Sequence, residues 1–152
     1  MTSKPEYVDL LNAIRLQEHR AGVYLEAWAN TTGNNDLKEC LSFVAAREYS
    51  HGEIFDRRVK ELGFATEEVT DSDFDEKVRV ANSNISDAEK IAWFKELRLK
   101  QTSPSVRERY EVAMEDDSVD ALTRSLLRWF TDVENDSGAR MSGVYAEIEK
   151  AG

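Results

Sequence analysis

The chain has few residues that cross-link a fold or break helices. Its 152 residues include one cysteine, Cys40, with two prolines and seven glycines. A single cysteine excludes an internal disulfide and any thiolate-based iron–sulfur or zinc site within one chain. Scarce proline and glycine, with abundant Glu, Leu, Ala, Arg and Lys, favour long helices over many short strands. The composition therefore predicts an all-α protein, most simply a single domain over residues 1–152.

Positive charge and long apolar runs are also scarce. The formal net charge is −10. Nucleic acids and anionic membranes attract clustered Lys and Arg, so neither is expected as a main partner. No apolar run approaches membrane-spanning length, and the first residues, Met1 to Glu6, lack the apolar core of a signal peptide. We therefore expect a cytoplasmic protein.

Apolar residues at helical spacing predict long helices, called helices A to D. Helix A should begin just after Ser3, which has capping-box spacing with Glu6, and run to about Asn30. Helix B should follow the turn 31–35 and span roughly Asp36–Leu62. Because this turn is short, helix B must return antiparallel to helix A.

The second half begins with a long acidic connection. Gly63 should end helix B, and segment 64–83 should link it to helix C, with a helical turn near 74–80. Such a link can cross the whole length of a bundle, so helix C can run parallel to helix B. Helix C should extend from Ser86, at capping-box spacing from Glu89, to about Gln101.

Two further segments complete the predicted fold. A short helix is expected over 105–115, and helix D should follow N-cap candidates at 116–118 and end near Lys150. The core-facing residues of helix D should be Leu122, Leu126, Phe130, Val133, Ser137, Met141, Val144 and Ile148. The pattern predicts an antiparallel four-helix bundle with one long crossover between helices B and C.

Charged side chains interrupt the apolar faces of helices A and B. Glu18 lies at the centre of one face, while Glu48 and His51, three residues apart, lie on the other. Burying such groups costs several kcal/mol unless something compensates. Pairing with an Arg would compensate for one Glu, but a transition metal would use carboxylate and imidazole together, as iron, manganese and zinc sites do. Glu134 borders the apolar face of helix D in the same way.

Four features together resemble a known family: Glu18 on helix A, Glu48-x-x-His51 on helix B, the long crossover and two further helices. The family they resemble is the ferritin-like superfamily, and within it the rubrerythrin-type diiron domain. The likeness covers most of the chain. It implies that each half of the bundle supplies a lone Glu from one helix and Glu-x-x-His from the next, so that two irons share bridging carboxylates. Glu18, Glu48 and His51 match the first half.

The second half departs from this pattern. Glu134 is followed three residues later by Ser137, where the resemblance implies a histidine. A hydroxyl is a poor metal ligand, although it could hold a metal-bound water. The helix C ligand could be Glu89 or Glu96, and Glu96 is preferred because the cap already explains Glu89. The expected ligands are thus Glu18, Glu48, His51, Glu96 and Glu134. His19, turned about 100° from Glu18, should be exposed.

The resemblance implies a non-haem iron protein, with either a lopsided dinuclear site or one mononuclear site, that acts as an oxidoreductase, peroxidase or ferroxidase on oxygen or peroxide. Manganese or zinc would also suit the ligands. The chain lacks the paired Cys-x-x-Cys motifs of a rubredoxin-like domain, so redox turnover would need an external electron donor. A homodimer is expected. The alternatives are a catalytically degenerate bundle that serves as a protein-interaction module, with Glu48 paired to an Arg, and an iron-storage cage.

Overall fold

A computed structural model describes residues 3–152, and these residues form six helices and no strand. The prediction of an all-α fold is confirmed. The helices are α1 (Glu6–Thr31), α2 (Asn35–Glu61), α3 (Phe74–Asn82), α4 (Asp87–Leu99), α5 (Val106–Ala113) and α6 (Ala121–Ala151).

The start of α1 differs from the prediction. The helix begins at Glu6, and Pro5 is its N-cap, with extended backbone and no side-chain cap hydrogen bond. Ser3 lies outside the helix, so the predicted capping box with Glu6 does not form. Proline disfavours helical backbone in the residue before it, which explains why the helix cannot begin earlier.

The start of α6 is also later than predicted. Asp116 closes a turn instead of capping the helix, because its side chain and carbonyl accept hydrogen bonds from Ser118 and Val119. Asp120 is the true N-cap, and its carboxylate accepts a hydrogen bond from the Thr123 N–H at 3.0 Å.

The first turns of α6 bury a different face from the predicted one. Leu122 was expected in the core but is 55% exposed, whereas Thr123 and Leu127 are fully buried. The Thr123 hydroxyl accepts a hydrogen bond from the buried Arg58 guanidinium at 3.0 Å. A hydrogen-bond partner on α2 therefore stabilises a polar residue at this core position. The apolar pattern of the sequence alone could not indicate this hydrogen bond.

Two other predicted boundaries are confirmed. Gly63 follows α2 with a φ of +88°, a conformation that glycine adopts readily. The Phe64 N–H then donates to the Val59 carbonyl at 3.2 Å, which closes the end of the helix. At the start of α4, Ser86 and Glu89 form the expected reciprocal capping box.

Helices α1 and α2 pack antiparallel and very closely. A Cβ placed on Gly52 would lie 3.2 Å from the backbone of Arg15 and His19, and one on Gly22 would lie 2.8 Å from the Tyr49 ring. A Cβ at either position would force its neighbours to shift, so glycine at these two positions allows the helices to approach this closely. Gly22 and Gly52 lie within a turn of Glu18 and His51, which places the site at the tightest part of the pair.

Helix α6 runs antiparallel to α2. Near the end of α2, Arg58 donates to Asp120 at 2.7 Å, at the start of α6. At the middle of α2, Arg47 donates to Asp136, at the middle of α6, also at 2.7 Å. These two contacts align the helices so that the middle of α2 faces the middle of α6.

Helices α4 and α5 together occupy the remaining side. The Trp28 indole, near the end of α1, donates to Asp87 at the start of α4 at 2.9 Å. Lys95 of α4 pairs with Glu149 of α6 at 2.8 Å. Helix α4 is therefore antiparallel to α1 and α6, and runs parallel to α2 as predicted. Helix α5 packs against α1 and α6 at the opposite end of the molecule.

The apolar core is divided into two clusters. One lies where α1 begins and contains Val8, Leu10, Leu11, Ile14, Phe55, Val59, Tyr110, Ala113, Val119, Leu127 and Phe130. The other lies where α1 ends and contains Leu25, Trp28, Ala29, Leu37, Leu41, Val44, Ala45, Ala81 and Ile91. In sequence, each predicted ligand of α1 and α2 falls between the two sets, so a polar layer separates them.

Candidate metal centre

Four of the five expected ligands meet in this polar layer, and we call them the Glu/His cluster. They are Glu18 from α1, Glu48 and His51 from α2, and Glu134 from α6. One potential ligand atom from each residue lies within 4.8 Å of all the others. The Nδ1 atom of His51 is 3.4 Å from Glu18 Oε1, 3.9 Å from Glu48 Oε1 and 3.4 Å from Glu134 Oε1.

The cluster is buried, and several of its polar atoms have no partner. Glu18 and Glu48 are each 4% exposed and His51 is 1% exposed, whereas the Glu134 side chain is 22% exposed. Glu18 Oε1, His51 Nδ1 and Glu134 Oε1 are buried without hydrogen bonds. Buried polar atoms nearly always have partners, so three unpaired atoms that face one another are typical of a site completed by a ligand.

No lysine or arginine within residues 3–152 forms an ion pair with the three carboxylates, and the nitrogen atom that lies against them is Nδ1 of His51. Burial therefore strongly disfavours the ionised form of these carboxyl groups. It raises the pKa of Glu18 well above the usual value; contact with Glu48 opposes this rise, and the charge of Glu134 adds to it. Burial also raises the pKa of Glu48, and both neighbouring carboxyl groups raise it further.

Glu134 behaves oppositely to its two neighbours. Burial alone would raise its pKa, but its contacts with His51, Glu48 and Glu18 outweigh burial and lower the pKa below the usual value. Without a metal, Glu134 therefore holds the negative charge, while Glu18 and Glu48 favour their protonated forms. A divalent cation would take the place of these protons.

Two aromatic rings of α6 hold His51 in place. Trp129 and Phe130 each pack edge-to-face on the imidazole, with ring centroids 5.1 and 5.0 Å away and interplanar angles near 90°. Trp129 is 40% exposed, so its indole separates His51 from solvent. The contact of Trp129 with α2 depends on how α6 is rotated, so the sequence alone does not indicate it.

Tyrosines from α1 and α5 flank the cluster. Burial raises the pKa of Tyr24, and the nearby charges of Glu48 and Glu18 raise it further. Burial also raises the pKa of Tyr110 to about 12, with Arg107 opposing the rise and Glu134 adding to it. No feature of the local sequence around Tyr110 indicates that this residue approaches the cluster.

The structure does not bring the helix C glutamates to the cluster. Glu96 is 71% exposed and lies 3.8 Å from Lys100, while Glu89 is used in the capping box of α4. Glu96 lies too far from the cluster along the helix axes, because α4 pairs with α6 at Glu149. Glu149 lies fifteen residues beyond Glu134, which is about 22 Å along a helix.

Ser137 and His19 are also not members of the Glu/His cluster. The buried Ser137 hydroxyl accepts a hydrogen bond from Arg47 at 3.0 Å, so the position expected for a second histidine is used to join α6 to α2. His19 is exposed, as predicted, and its ring packs against Tyr49 at 5.5 Å.

The donor set of the Glu/His cluster fits a divalent transition metal. Carboxylate oxygen and neutral imidazole nitrogen together suit iron, manganese and zinc. Ligands bound at about 2.0–2.2 Å to one ion lie up to about 4.4 Å apart, which includes all three distances from His51 to the carboxylates. The cluster could therefore hold a metal ion.

Within residues 3–152, none of the helices combines the length and apolar character needed to cross a membrane. Comparisons with family models, curated proteins and solved structures found no match to this chain.

Proposed function

We propose that this protein is a ferritin-like, rubrerythrin-related metal-binding protein, and that it uses non-haem iron as an oxidoreductase on oxygen or peroxide. The helix arrangement supports the proposal: α1 packs on α2, α2 on α6, and α6 on α4 and α5, with a long connection between α2 and α4. The observation that carries it is the convergence of buried, unpaired ligand atoms from three helices at one point.

Each residue of the cluster has a definable role. Glu18, Glu48 and Glu134 provide negative charge that neutralises a divalent ion, and His51 provides a neutral nitrogen through Nδ1. Ferrous iron, when bound, would supply the electrons that reduce oxygen or peroxide. Binding releases the protons that Glu18 and Glu48 favour in the metal-free protein, so metal affinity should rise with pH.

The geometry favours one metal ion over two. Among residues 3–152, four ligand residues converge, and they contain one nitrogen donor. Ser137, at the position of a second histidine, is bonded to Arg47, and Glu96 is remote and exposed. Open coordination positions on a single ion would leave room for oxygen or peroxide.

Two further parts of the proposal concern partners. Redox turnover requires an external electron donor, because one cysteine cannot build a thiolate electron-transfer site within the chain. The homodimer expected from the sequence stays a prediction, which light scattering on the purified protein would test.

The rival interpretation, a protein-interaction module without metal, needs an arginine that neutralises Glu48. The arginines nearest to it in sequence have other partners: Arg47 pairs with Asp136, Arg57 with Glu53, and Arg58 with Glu61 and Asp120. No observation on the described residues supplies the cation that this alternative requires, so metal binding is the better account of the cluster.

Metal content per chain tests the proposal. Protein reconstituted with ferrous iron without oxygen should hold about one iron in the wild type and in the matched control Glu96→Gln, and none in Glu48→Gln. Reconstitution with manganese and with zinc would show which ion binds. Two irons per wild-type chain would refute the single-ion site, and no metal of any kind would refute the metal-binding function.

A further inference from the structure

The side of the molecule formed by α4 and α5 is interrupted. Helix α4 ends at Leu99 and α5 begins at Val106, and residues 100–104 between them are all exposed. This connecting segment therefore does not pack onto the helices beneath it. Helix α4 covers this side of the molecule up to one end of the break, and α5 covers it from the other end.

Contacts of α6 locate the break relative to the cluster. Thr131 contacts Met114, at the end of α5, with 3.7 Å between Oγ1 and Sδ, and Glu149 pairs with Lys95 of α4. Gly138 comes seven residues after Thr131 and eleven before Glu149. Positions seven and eleven residues apart share one face of a helix, so Gly138 faces the break between α4 and α5.

Space is open at Gly138. A Cβ placed there would meet no heavy atom within 4 Å. Gly138 also lies one turn after Glu134, whose side chain is 22% exposed, whereas the side chains of the other three members of the cluster are 6% exposed or less. Solvent therefore reaches the cluster on the side of Glu134 and Gly138.

The other sides of the cluster are closed. Between α1 and α2, the backbone of α1 lies 3.2 Å from a Cβ placed on Gly52, and the Tyr49 ring covers Gly22. Between α2 and α6, the indole of Trp129 lies across the imidazole of His51. The break beside Gly138 is thus the remaining approach that the described helices leave.

We propose that the opening between α4 and α5, beside Gly138, is the route by which small solutes, including a hydrated divalent cation, reach the Glu/His cluster. The part that concerns the cation rests on the proposed metal-binding function. The absence of a side chain at Gly138 keeps the route open, and the carboxylate of Glu134 is the first ligand that an arriving cation meets.

A graded series at Gly138 can narrow the route without touching a ligand. Alanine, leucine and phenylalanine add increasing volume where no atom now lies. Gly143 is a matched control, because it is on the same helix, its Cβ would also meet nothing within 4 Å, and it points about 140° away. Replacing either glycine improves helix propensity to the same extent, so stability effects should cancel in the comparison.

The first measurement needs no metal. In a Cys40→Ser background, Glu134→Cys reports access to the cluster through its reaction with methyl methanethiolsulfonate, a small neutral thiol reagent. Adding Gly138→Phe should slow the reaction at least about tenfold, equivalent to ~1.4 kcal/mol of added barrier. Gly138→Ala should have little effect and Gly143→Phe none. Equal rates with phenylalanine at either glycine, in variants with unchanged circular dichroism, would overturn the route.

The second measurement uses cobalt(II) as the probe, in the chain with all ligands intact. Gly138→Phe should slow association and dissociation by the same factor, about tenfold, and leave the equilibrium affinity unchanged. If Gly138→Phe slows the thiol reaction but the protein binds no cobalt, the metal function is rejected and the opening stands. If Gly138→Phe slows the thiol reaction but leaves the cobalt association rate unchanged, the opening is rejected as the path of the cation.

Discussion

Replacement of Glu48 by glutamine should change the stability of the protein in opposite directions with and without metal. Glutamine has nearly the shape of the protonated carboxyl group but never ionises. In the metal-free protein, burial and then the neighbours Glu18 and Glu134 raise the pKa of Glu48 far above its ordinary value of 4.5. The native state therefore keeps a proton that the unfolded chain releases.

The size of the effect follows from this proton. Above pH 4.5 the native state binds more protons than the unfolded chain, so wild-type stability falls by about 1.4 kcal/mol per pH unit for this group. Between pH 4.5 and 7.5 the loss is about 4 kcal/mol. Glu48→Gln lacks this loss. In the presence of a chelator, the variant should be the more stable protein by up to ~4 kcal/mol at pH 7.5, with a difference that shrinks toward pH 4.5.

Metal should reverse the order. At a free cobalt(II) concentration of about 10,000 times the dissociation constant, the wild type gains about 5.4 kcal/mol, which exceeds the ~4 kcal/mol advantage of the variant at pH 7.5, whereas the variant without a ligand at position 48 gains nothing. Urea denaturation at several pH values, with cobalt or with chelator, measures both effects. The exposed control Glu96→Gln should match the wild type throughout. If Glu48→Gln is less stable with chelator at pH 7.5 by about 3–5 kcal/mol, Glu48 is neutralised by a protein cation and the reasoning is wrong.

Three further substitutions test other parts of the structure. Cobalt(II) should quench the fluorescence of Trp129, which packs on the imidazole of the cluster, and Trp129→Phe should remove most of the quenching in a fluorescence titration; unchanged quenching would place the ion elsewhere. Gly22→Ala should cost about 1–3 kcal/mol in urea denaturation, because its Cβ would lie 2.8 Å from the Tyr49 ring; an unchanged midpoint would contradict the close packing of α1 and α2. Arg58→Met should cost about 1–3 kcal/mol, since it removes the hydrogen bonds of Arg58 to Thr123 and to the partly exposed Asp120, and the loss should diminish in an Asp120→Asn background.

Local sequence was sufficient for most helices. The end of α2 at Gly63 and the capping box of Ser86 and Glu89 depend only on nearby residues, and both are found as expected. The capping-box spacing of Ser3 with Glu6 was misleading, because Pro5 between them delays the helix. These features are set by backbone geometry within a few residues, so the sequence contains the information needed to judge them.

The buried face of α6 could be predicted only in part. Phe130 and Ser137 are buried as expected, but the first turns bury Thr123 and Leu127 in place of Leu122. Apolarity was a poor guide there because Thr123 bonds to Arg58, sixty-five residues earlier. Such a contact cannot be read from helical periodicity.

The sequence by itself determined that the protein is helical and that Glu18, Glu48 and His51 interrupt apolar faces, because helical period and side-chain polarity are properties of the local chain. Tertiary structure alone decided which carboxylates meet. Glu134 reaches the cluster because the Arg47 and Arg58 contacts align α6 with α2, and Glu96 does not because α4 pairs with α6 far from Glu134. Axial position between helices arises from contacts distant in sequence, so only the folded structure shows it.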